Sequence, residues 1–195
     1  MTTKAVVVID MLNDFVTGAL ANPAGAEITP RLAALLAHAR SQGWLVVFAN
    51  DAHLPGDYEE QVWGPHALAG TPGADVIPAL APRAGDITLP KRFYSSFYET
   101  GLASLLRQNG VEEVILTGQH TNICVRHTAS DAFLNAFAIT VPRDAVAMFR
   151  LPDHSDSEYD RIQQEALDYL VTCYGAALTT VAQLTGAPVR EAVTA

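Results

Sequence analysis

Six short apolar runs, rich in β-branched residues, recur along the chain. They are KAVVVI (4–9), WLVVFA (44–49), DITLP (86–90), EEVILTG (112–118), FAITVP (137–142) and AALTTV (176–181). A short run that is apolar throughout, without polar alternation, is typical of a strand covered on both faces, as in a parallel sheet. The pattern therefore predicts six buried strands.

Segments with helical spacing of apolar residues separate these runs. They are 28–43, 99–110, 124–137 and 156–175, and the first two end at Gly43 and Gly110. Strands that alternate with helices predict an α/β fold, a doubly wound six-stranded parallel sheet flanked by helices in three Rossmann-like layers. The long segment 51–85 has little periodicity, and we expect a loop-rich excursion near the functional site.

Composition and charge narrow the classes of function. The chain has 195 residues, 49% of them apolar, and no repeat or linker divides it, so we expect a single domain over residues 1–195. The net charge of −9 and the absence of Lys/Arg clusters argue against nucleic acid as a partner. The same charge argument favours a small molecule as the partner. Two cysteines without disulfide spacing, and an N-terminal run too short for a membrane span, predict a cytoplasmic protein.

Charged and nucleophilic residues follow the apolar runs, at the end of a parallel sheet where ligands bind. Asp10 follows the first run and Lys91 the third. A buried Asp or Lys is costly unless it is paired, which favours contact between these two side chains. Cys124 follows the fourth run, in the first turn of a predicted helix, where the helix dipole favours a thiolate and predicts a lowered pKa. Cys124 could instead be a packed apolar residue, and the two charges could be separate and solvated.

Three potential metal ligands follow the second run. Asp51 and His53 are two residues apart, so in an extended chain they point to the same side, and His66 lies further along. One carboxylate and two imidazoles suit Zn²⁺, Fe²⁺ or Mn²⁺. An Asp-x-His pair in a loop is also common without a metal, and either histidine could line an aromatic pocket.

The segments VVVIDMLNDF, LPKRFYSSFYET and ILTGQHTNICVRHTASDAF resemble the signature segments of the isochorismatase-like cysteine hydrolase superfamily, in its nicotinamidase-related branch. The resemblance runs from about residue 4 to about residue 181. It implies that Asp10, Lys91 and Cys124 form a catalytic triad. Cys124 would attack a carboxamide and form a thioester, with Asp10 as general base and Lys91 as the fixed cation. The resemblance also implies a cis peptide bond between Gln119 and His120.

The same resemblance bears on the metal and on the substrate. Nicotinamidases have an Asp-x-His pair and a second His before a TPGA-like segment, and His66 stands in that relation to TPGA (71–74). It therefore implies a divalent metal on Asp51, His53 and His66, zinc first, with iron or manganese as alternatives, that orients a pyridine nitrogen. Leu12 occupies the position where nicotinamidases commonly carry Gln, which weakens the case for nicotinamide itself.

Several residues are candidates for contact with a substrate or with the oxyanion that forms during amide cleavage. The predicted set is Phe15, Trp63, Gln119, His120 and Asn122. Backbone N–H groups near His120 and Cys124 would form the oxyanion hole at the helix start. Phe93, Tyr94 and Phe97 could add to a pocket for a flat ring, or belong to the core or to a subunit contact. His127 is interpreted as a hydrogen-bonded helix histidine, with contact to the Cys124 face as the alternative, and Cys173 is interpreted as packing.

We therefore predict a cysteine-dependent hydrolase of a small-molecule carboxamide, which forms a homo-oligomer, a dimer or a tetramer, and has no nucleic acid or membrane partner. One alternative is an isochorismatase-type vinyl ether hydrolase, a branch that uses the Cys differently and generally lacks the metal residues. Another is a non-catalytic binding or scaffold protein. The presence of Asp10, Lys91 and Cys124 together argues against the scaffold.

Overall fold

A computed structural model describes residues 3–151 and 153–187. Its centre is a parallel sheet of seven strands, β1 (Thr3–Ile9), β2 (Leu45–Asp51), β3 (Ile87–Lys91), β4 (Val111–Gln119), β5 (Ala138–Pro142), β6 (Val146–Ala147) and β7 (Ala177–Thr179). The strand order is β3-β2-β1-β4-β5-β7, and β6 pairs with the end of β4. The predicted parallel α/β fold is confirmed. All six predicted strands are present, and the structure adds β6, whose two residues are too few to give a sequence pattern. The prediction that all six are buried is wrong for β3 and β7, which lie at the two edges of the sheet and are partly exposed.

Helices cover both faces of the sheet. They are α1 (Asn13–Val16), α2 (Pro23–Ser41), α3 (Glu60–Trp63), α4 (Leu102–Gln108), α5 (Cys124–Leu134), α6 (Asp156–Tyr174) and α7 (Val181–Thr185). Successive residues of β1 point to opposite faces: Val7 packs in the layer that includes α4 and α5, whereas Val6 and Val8 pack in the layer that includes α2 and α7. This two-sided burial explains why the strand is apolar throughout.

Helix α2 begins at Pro23, five residues before the predicted start. Proline is accepted in the first turn of a helix because no N–H partner is needed there. Gly25 lies against the side chain of Gln119, where an added Cβ would come within 2.6 Å of Oε1. In the sequence, Pro23 and Gly25 both resemble helix breakers, and for that reason the predicted start of the helix was too late.

The segment between β2 and β3 is the predicted loop-rich excursion. It contains α3 and two turns of 3₁₀-helix, Pro72–Ala74 and Pro78–Leu80. It returns to the end of β1 through a bridge between Leu12 and Val76, and so it covers one side of the strand ends. In the part of the chain that is described, no helix is long and apolar enough to cross a membrane.

Candidate active site

Asp10, Lys91 and Cys124 meet at the carboxyl ends of the strands. Asp10 follows β1, Lys91 ends β3 and Cys124 is the first residue of α5, the helix that follows β4. The Nζ atom of Lys91 lies 2.8 Å from Oδ2 of Asp10 and 3.8 Å from Sγ of Cys124. All three side chains are buried. The predicted convergence of a carboxylate, an ammonium and a thiol is therefore present.

Asp51, at the end of β2, shares the Lys91 cation with Asp10. Lys91 donates to Oδ1 of Asp51 at 2.5 Å, and the backbone N–H of Asp51 donates to Oδ1 of Asp10 at 2.8 Å. Burial favours the neutral amine, but the two carboxylates outweigh it and hold the pKa of Lys91 well above its usual value. The ammonium is therefore a permanent charge at neutral pH.

Burial changes the acid–base properties of the two reacting groups. It raises the pKa of Asp10 to about 6, with a further contribution from Asp51 and against the opposing effect of Lys91. Burial also raises the pKa of the Cys124 thiol well above its usual value. The expectation of a lowered Cys124 pKa is wrong, because desolvation exceeds the effects of the helix start and of Lys91. The resting thiol is thus protonated, and ionised Asp10 can accept its proton.

Four buried side chains form a cluster that could hold a metal ion. Asp51, His53, Glu59 and His66 each offer one ligand atom, and these atoms lie within 4.8 Å of one another. Nε2 of His53 is 3.6 Å from Oδ2 of Asp51 and 3.8 Å from Oε2 of Glu59. Within the described residues, neither ring nitrogen of His53 has a hydrogen-bond partner. Nδ1 of His53 also lies 3.5 Å from Oδ2 of Asp57. Buried ring nitrogens without hydrogen-bond partners, surrounded by carboxylates, fit a divalent cation.

Glu59 is the member of this cluster that was not predicted. Burial raises its pKa to about 7, and the charge of Asp51 adds to the effect. A carboxylate is destabilised in this position unless a positive charge lies nearby, which a bound cation would provide. Glu59 is in the aperiodic excursion, so no spacing in the sequence relates it to His53.

A pocket with aromatic walls opens above Cys124. The lining residues are Phe15, Leu20, Asp51, Glu59, Trp63, His66, Tyr94, His120, Ile123, Cys124 and Phe149. Phe15, Trp63, Tyr94 and His120 were candidates from the sequence, whereas Phe149 was not, because it follows the unpredicted strand β6.

Other candidates lie outside this pocket. Gln119 is fully buried behind the wall, where its side chain accepts a hydrogen bond from Asn22. Asn122 is half-buried and is not part of the lining. Phe97 packs against Phe137 in the core, with ring centroids 6.0 Å apart, and Phe93 packs against Tyr98. The expectation of direct substrate contact through the Gln119 side chain therefore disagrees with this geometry.

His127 and Cys173 both lie on the surface. Nδ1 of His127 is 2.8 Å from the carbonyl oxygen of Ile123, one turn earlier, so the interpretation as a hydrogen-bonded helix histidine is confirmed. Cys173 is exposed, and its interpretation as a packing residue is wrong. Leu12 is buried and packs with Phe15 and Ala67 beside the site.

The start of α5 supplies a backbone donor next to the thiol. The N–H groups of Ile123 and Val125 both donate to the carbonyl of His120. Among the described residues, no backbone carbonyl accepts from the N–H of Cys124, which leaves that donor available at the first position of the helix. The peptide bond between Gln119 and His120 is cis, as the resemblance implied.

Comparisons with known proteins identify the family of the chain. Residues 4–183 match the family model described as the isochorismatase domain. The nicotinamidase/pyrazinamidase of Mycobacterium tuberculosis is 36% identical over 161 residues, covering 74% of this chain and 86% of that protein.

Two solved structures are similar over nearly the whole chain. The N-carbamoylsarcosine amidase from Thermoplasma acidophilum has a TM-score of 0.83 and 38% identity, and covers 92% of this chain and 97% of its own. The pyrazinamidase of Pyrococcus horikoshii in complex with zinc has a TM-score of 0.80 and 30% identity, with 91% and 98% covered. These relatives bear out the prediction of a hydrolase that acts on amide C–N bonds. From its sequence and its fold, the chain belongs to the isochorismatase family.

Proposed function

We propose that the protein hydrolyses a small-molecule carboxamide through a thioester on Cys124. The observation that carries this proposal is the buried contact of Lys91 with both Asp10 and Cys124 at the base of a pocket with aromatic walls. Amide cleavage through a covalent intermediate needs a nucleophile, a group that takes and returns a proton, and donors for the oxyanion. The amidases among the relatives support the same reaction class.

In the first half of the reaction, Asp10 accepts the thiol proton while Sγ of Cys124 attacks the carbonyl carbon. The negative charge that forms on the carbonyl oxygen is stabilised by the backbone N–H of Cys124 at the start of α5. Asp10 then returns the proton to the leaving nitrogen, the C–N bond breaks, and an amine or ammonia departs. The acyl group remains on the sulfur as a thioester.

In the second half, a water molecule attacks the thioester and gives up a proton to Asp10. The C–S bond breaks, the carboxylic acid leaves, and the proton returns to the sulfur. Lys91 keeps its charge throughout, because its pKa is held well above the usual value by two carboxylates despite burial. Its ammonium stabilises the thiolate and the Asp10 carboxylate at the moments when each is ionised.

A divalent metal would be held beside this reaction centre by Asp51, His53, Glu59 and His66. Zinc suits their two imidazoles and two carboxylates, and iron or manganese are alternatives. When bound, the ion would offer an open position to a ring nitrogen or to water. Glu59 and His66 also line the pocket, so the cluster faces the space that the substrate would occupy. The pyrazinamidase solved with zinc supports this assignment.

The pocket favours an amide on a flat ring. The aromatic surface around Cys124 is formed by Phe15, Trp63, Tyr94 and Phe149. Aromatic walls stack well on a ring of similar size. We infer a cyclic carboxamide of the size of a pyridine or pyrazine carboxamide as the substrate class.

The cytoplasmic location, the homo-oligomer and the single domain over residues 1–195 remain predictions.

Trapping the intermediate tests the proposal. The enzyme is mixed with nicotinamide, pyrazinamide and a short aliphatic amide; ammonia release is measured, and samples quenched with acid are digested for mass spectrometry. We expect ammonia release and an acyl adduct on the peptide that contains Cys124. Cys124→Ala should abolish turnover, and Cys173→Ala, at the exposed cysteine, is the matched control that should keep it.

Two results would contradict the mechanism. Turnover above a few per cent in folded Cys124→Ala would exclude the thioester. Cleavage of a vinyl ether without ammonia release from any amide would favour the isochorismatase-type alternative.

A further inference from the structure

Two buried amide side chains lie directly behind the pocket wall. Asn22 precedes α2 and Gln119 ends β4, and both are fully buried. The Nδ2 group of Asn22 donates to Oε1 of Gln119 at 2.8 Å, across 97 positions of the sequence. Gly25 makes this contact possible, because a side chain there would displace the Gln119 amide. The reaction described above uses neither amide.

The pair joins three separate segments of the chain. Asn22 also donates to the carbonyl of Met148 at 2.9 Å and accepts from the N–H of Arg150 at 3.3 Å. The Nε2 group of Gln119 lies 3.4 Å from the carbonyl oxygen of Asp10 and 3.3 Å from that of Phe15, and donates to both. Every donor of both amides thus has a partner, a state that fixes the position of buried polar groups.

Each of these segments carries one aromatic ring of the pocket. The pair holds the carbonyl of Phe15 itself, His120 follows Gln119 directly, and Phe149 lies between the two residues that Asn22 holds. The ring of His120 stands edge-on between the other two, with centroid distances of 5.4 Å to Phe15 and 5.5 Å to Phe149. Burial lowers the pKa of His120 to about 4, so the ring is neutral at pH 7.

Asp10 also depends on this arrangement. Its φ angle of 52° lies in the left-handed region, which is uncommon for a residue other than glycine and needs support from the surroundings. The donation from Gln119 to the Asp10 carbonyl provides part of that support. The same amide therefore contacts both the proton acceptor and the wall of the pocket.

We propose that Asn22 and Gln119 are positioning residues that hold the rings of Phe15, His120 and Phe149 in place against the ring of the substrate. The inference rests on the proposed function and deepens it, since it assigns recognition of the ring to a pair that does not touch the substrate. A pair that only stabilised the fold would lower the melting temperature without changing the preference among substrates.

The kinetic test uses Gln119→Met and Asn22→Leu, which keep side chains of similar size and remove the amides. We expect KM for a pyridine or pyrazine carboxamide to rise about tenfold, the equivalent of one buried hydrogen bond. We expect KM for a short aliphatic amide to stay within about twofold, and any fall in kcat to be the same for both amides, because the support that Gln119 gives to Asp10 acts on either substrate. Thr117→Val is the matched control, because Thr117 lies on the same strand as Gln119 and donates a buried hydrogen bond to the carbonyl of Val7 on β1. This variant should have a lower melting temperature and an unchanged KM for both amides.

The double variant tests whether the two amides act as one unit. Its KM for the ring amide should be no higher than that of the worse single variant. Effects of Asn22→Leu and Gln119→Met that multiply in the double variant would overturn the pairing. If Gln119→Met does not fold, Gln119→Asn, which retains an amide on a shorter side chain, carries the same test together with Asn22→Leu.

Two measurements separate this inference from the proposed function. Binding of nicotinamide to Cys124→Ala, with and without Gln119→Met, is measured by calorimetry, and a tenfold weaker affinity with Gln119→Met supports the inference without any turnover. Crystal structures of the wild type and of Gln119→Met give the distances between the rings. Displaced rings support the inference even if the wild type hydrolyses no amide. The inference would be overturned by rings that do not move, together with an unchanged ratio of the KM for the ring amide to the KM for the aliphatic amide.

Discussion

Replacing Lys91 by Met removes the cation that contacts Asp10, Asp51 and Cys124 and retains an unbranched apolar side chain of similar length. The side chain of Lys91 is fully buried, so water cannot replace the lost charge. Removing one partner of a buried ion pair typically costs about 3–5 kcal/mol of stability. A circular dichroism spectrum is therefore needed to show that the variant is folded.

The distance from Lys91 to the sulfur sets the size of the expected effect. Two unit charges 3.8 Å apart, the distance from Nζ to Sγ, interact by about 4 kcal/mol at an effective dielectric constant of about 20. Part of this is recovered, because Asp10 also becomes easier to protonate without Lys91 and then repels the thiolate less. If about one third of the interaction energy between Lys91 and the thiolate is lost without compensation, the loss is about 1.4 kcal/mol, and the thiolate fraction of Cys124 at pH 7 falls about tenfold.

Alkylation by iodoacetamide measures this fraction, because the thiolate is the reactive form. Mass spectrometry of the two cysteine peptides separates Cys124 from exposed Cys173, whose rate should not change. Lys4→Met is the matched control, since Lys4 is the other lysine of the chain and forms a partly exposed ion pair with Glu113 at 3.0 Å. An unchanged rate at Cys124 in folded Lys91→Met would refute the reasoning and assign stabilisation of the thiolate to the helix start.

Three further predictions follow from distances and ionisation states. The Asp10 pKa of about 6 predicts that kcat/KM falls about tenfold per pH unit below pH 6, because the protonated carboxyl cannot accept the thiol proton. Asp10→Asn should lower kcat at least about 100-fold. A pH profile of kcat/KM that stays flat down to pH 5 would contradict this role of Asp10. His53→Ala, or dialysis against a chelator, should raise KM for a pyridine carboxamide far more than for an aliphatic amide, whereas a parallel change in both would remove the metal from substrate binding. Gly118→Ala should lower the melting temperature by several degrees more than Gly110→Ala. Both glycines have a positive φ, but an added Cβ at position 118 would lie 2.0 Å from the carbonyl oxygen of Ile9, whereas one at position 110 would have none of the described residues within 4 Å.

Much of the site could be predicted because the chemistry lies at the ends of strong patterns. Asp10, Lys91 and Cys124 each end or follow a strand that the apolar pattern predicts, and parallel strands bring their carboxyl ends to one edge. The adjacent Asp51 and His53 follow the same rule at β2. For these residues, the apolar runs place the side chains at one edge of the sheet, and the resemblance to a known family assigned the triad and the metal ligands among them.

The remaining features depend on contacts between distant segments. Glu59 and Phe149 lie in aperiodic stretches, so nothing in the sequence relates them to the pocket. The amide of Gln119 is used by Asn22, 97 residues away, and proximity to Cys124 in the sequence was a misleading guide to its role. The direction of the Cys124 pKa shift also required the structure, because desolvation depends on everything that packs around the sulfur.

Lys91 ends a strand that lies at the edge of the sheet, where β3 pairs with β2 alone among the described strands. Its first four residues alternate between half-buried and exposed, and Pro90 provides no N–H for a second neighbour. Edge elements with few buried contacts open by local unfolding at a lower free energy than the core. In increasing urea, we therefore expect hydrolytic activity to disappear before the far-UV circular dichroism signal. Exchange of backbone hydrogens in β3 should be faster than in β1 and β4, so the loss of catalysis would report the opening of a single strand.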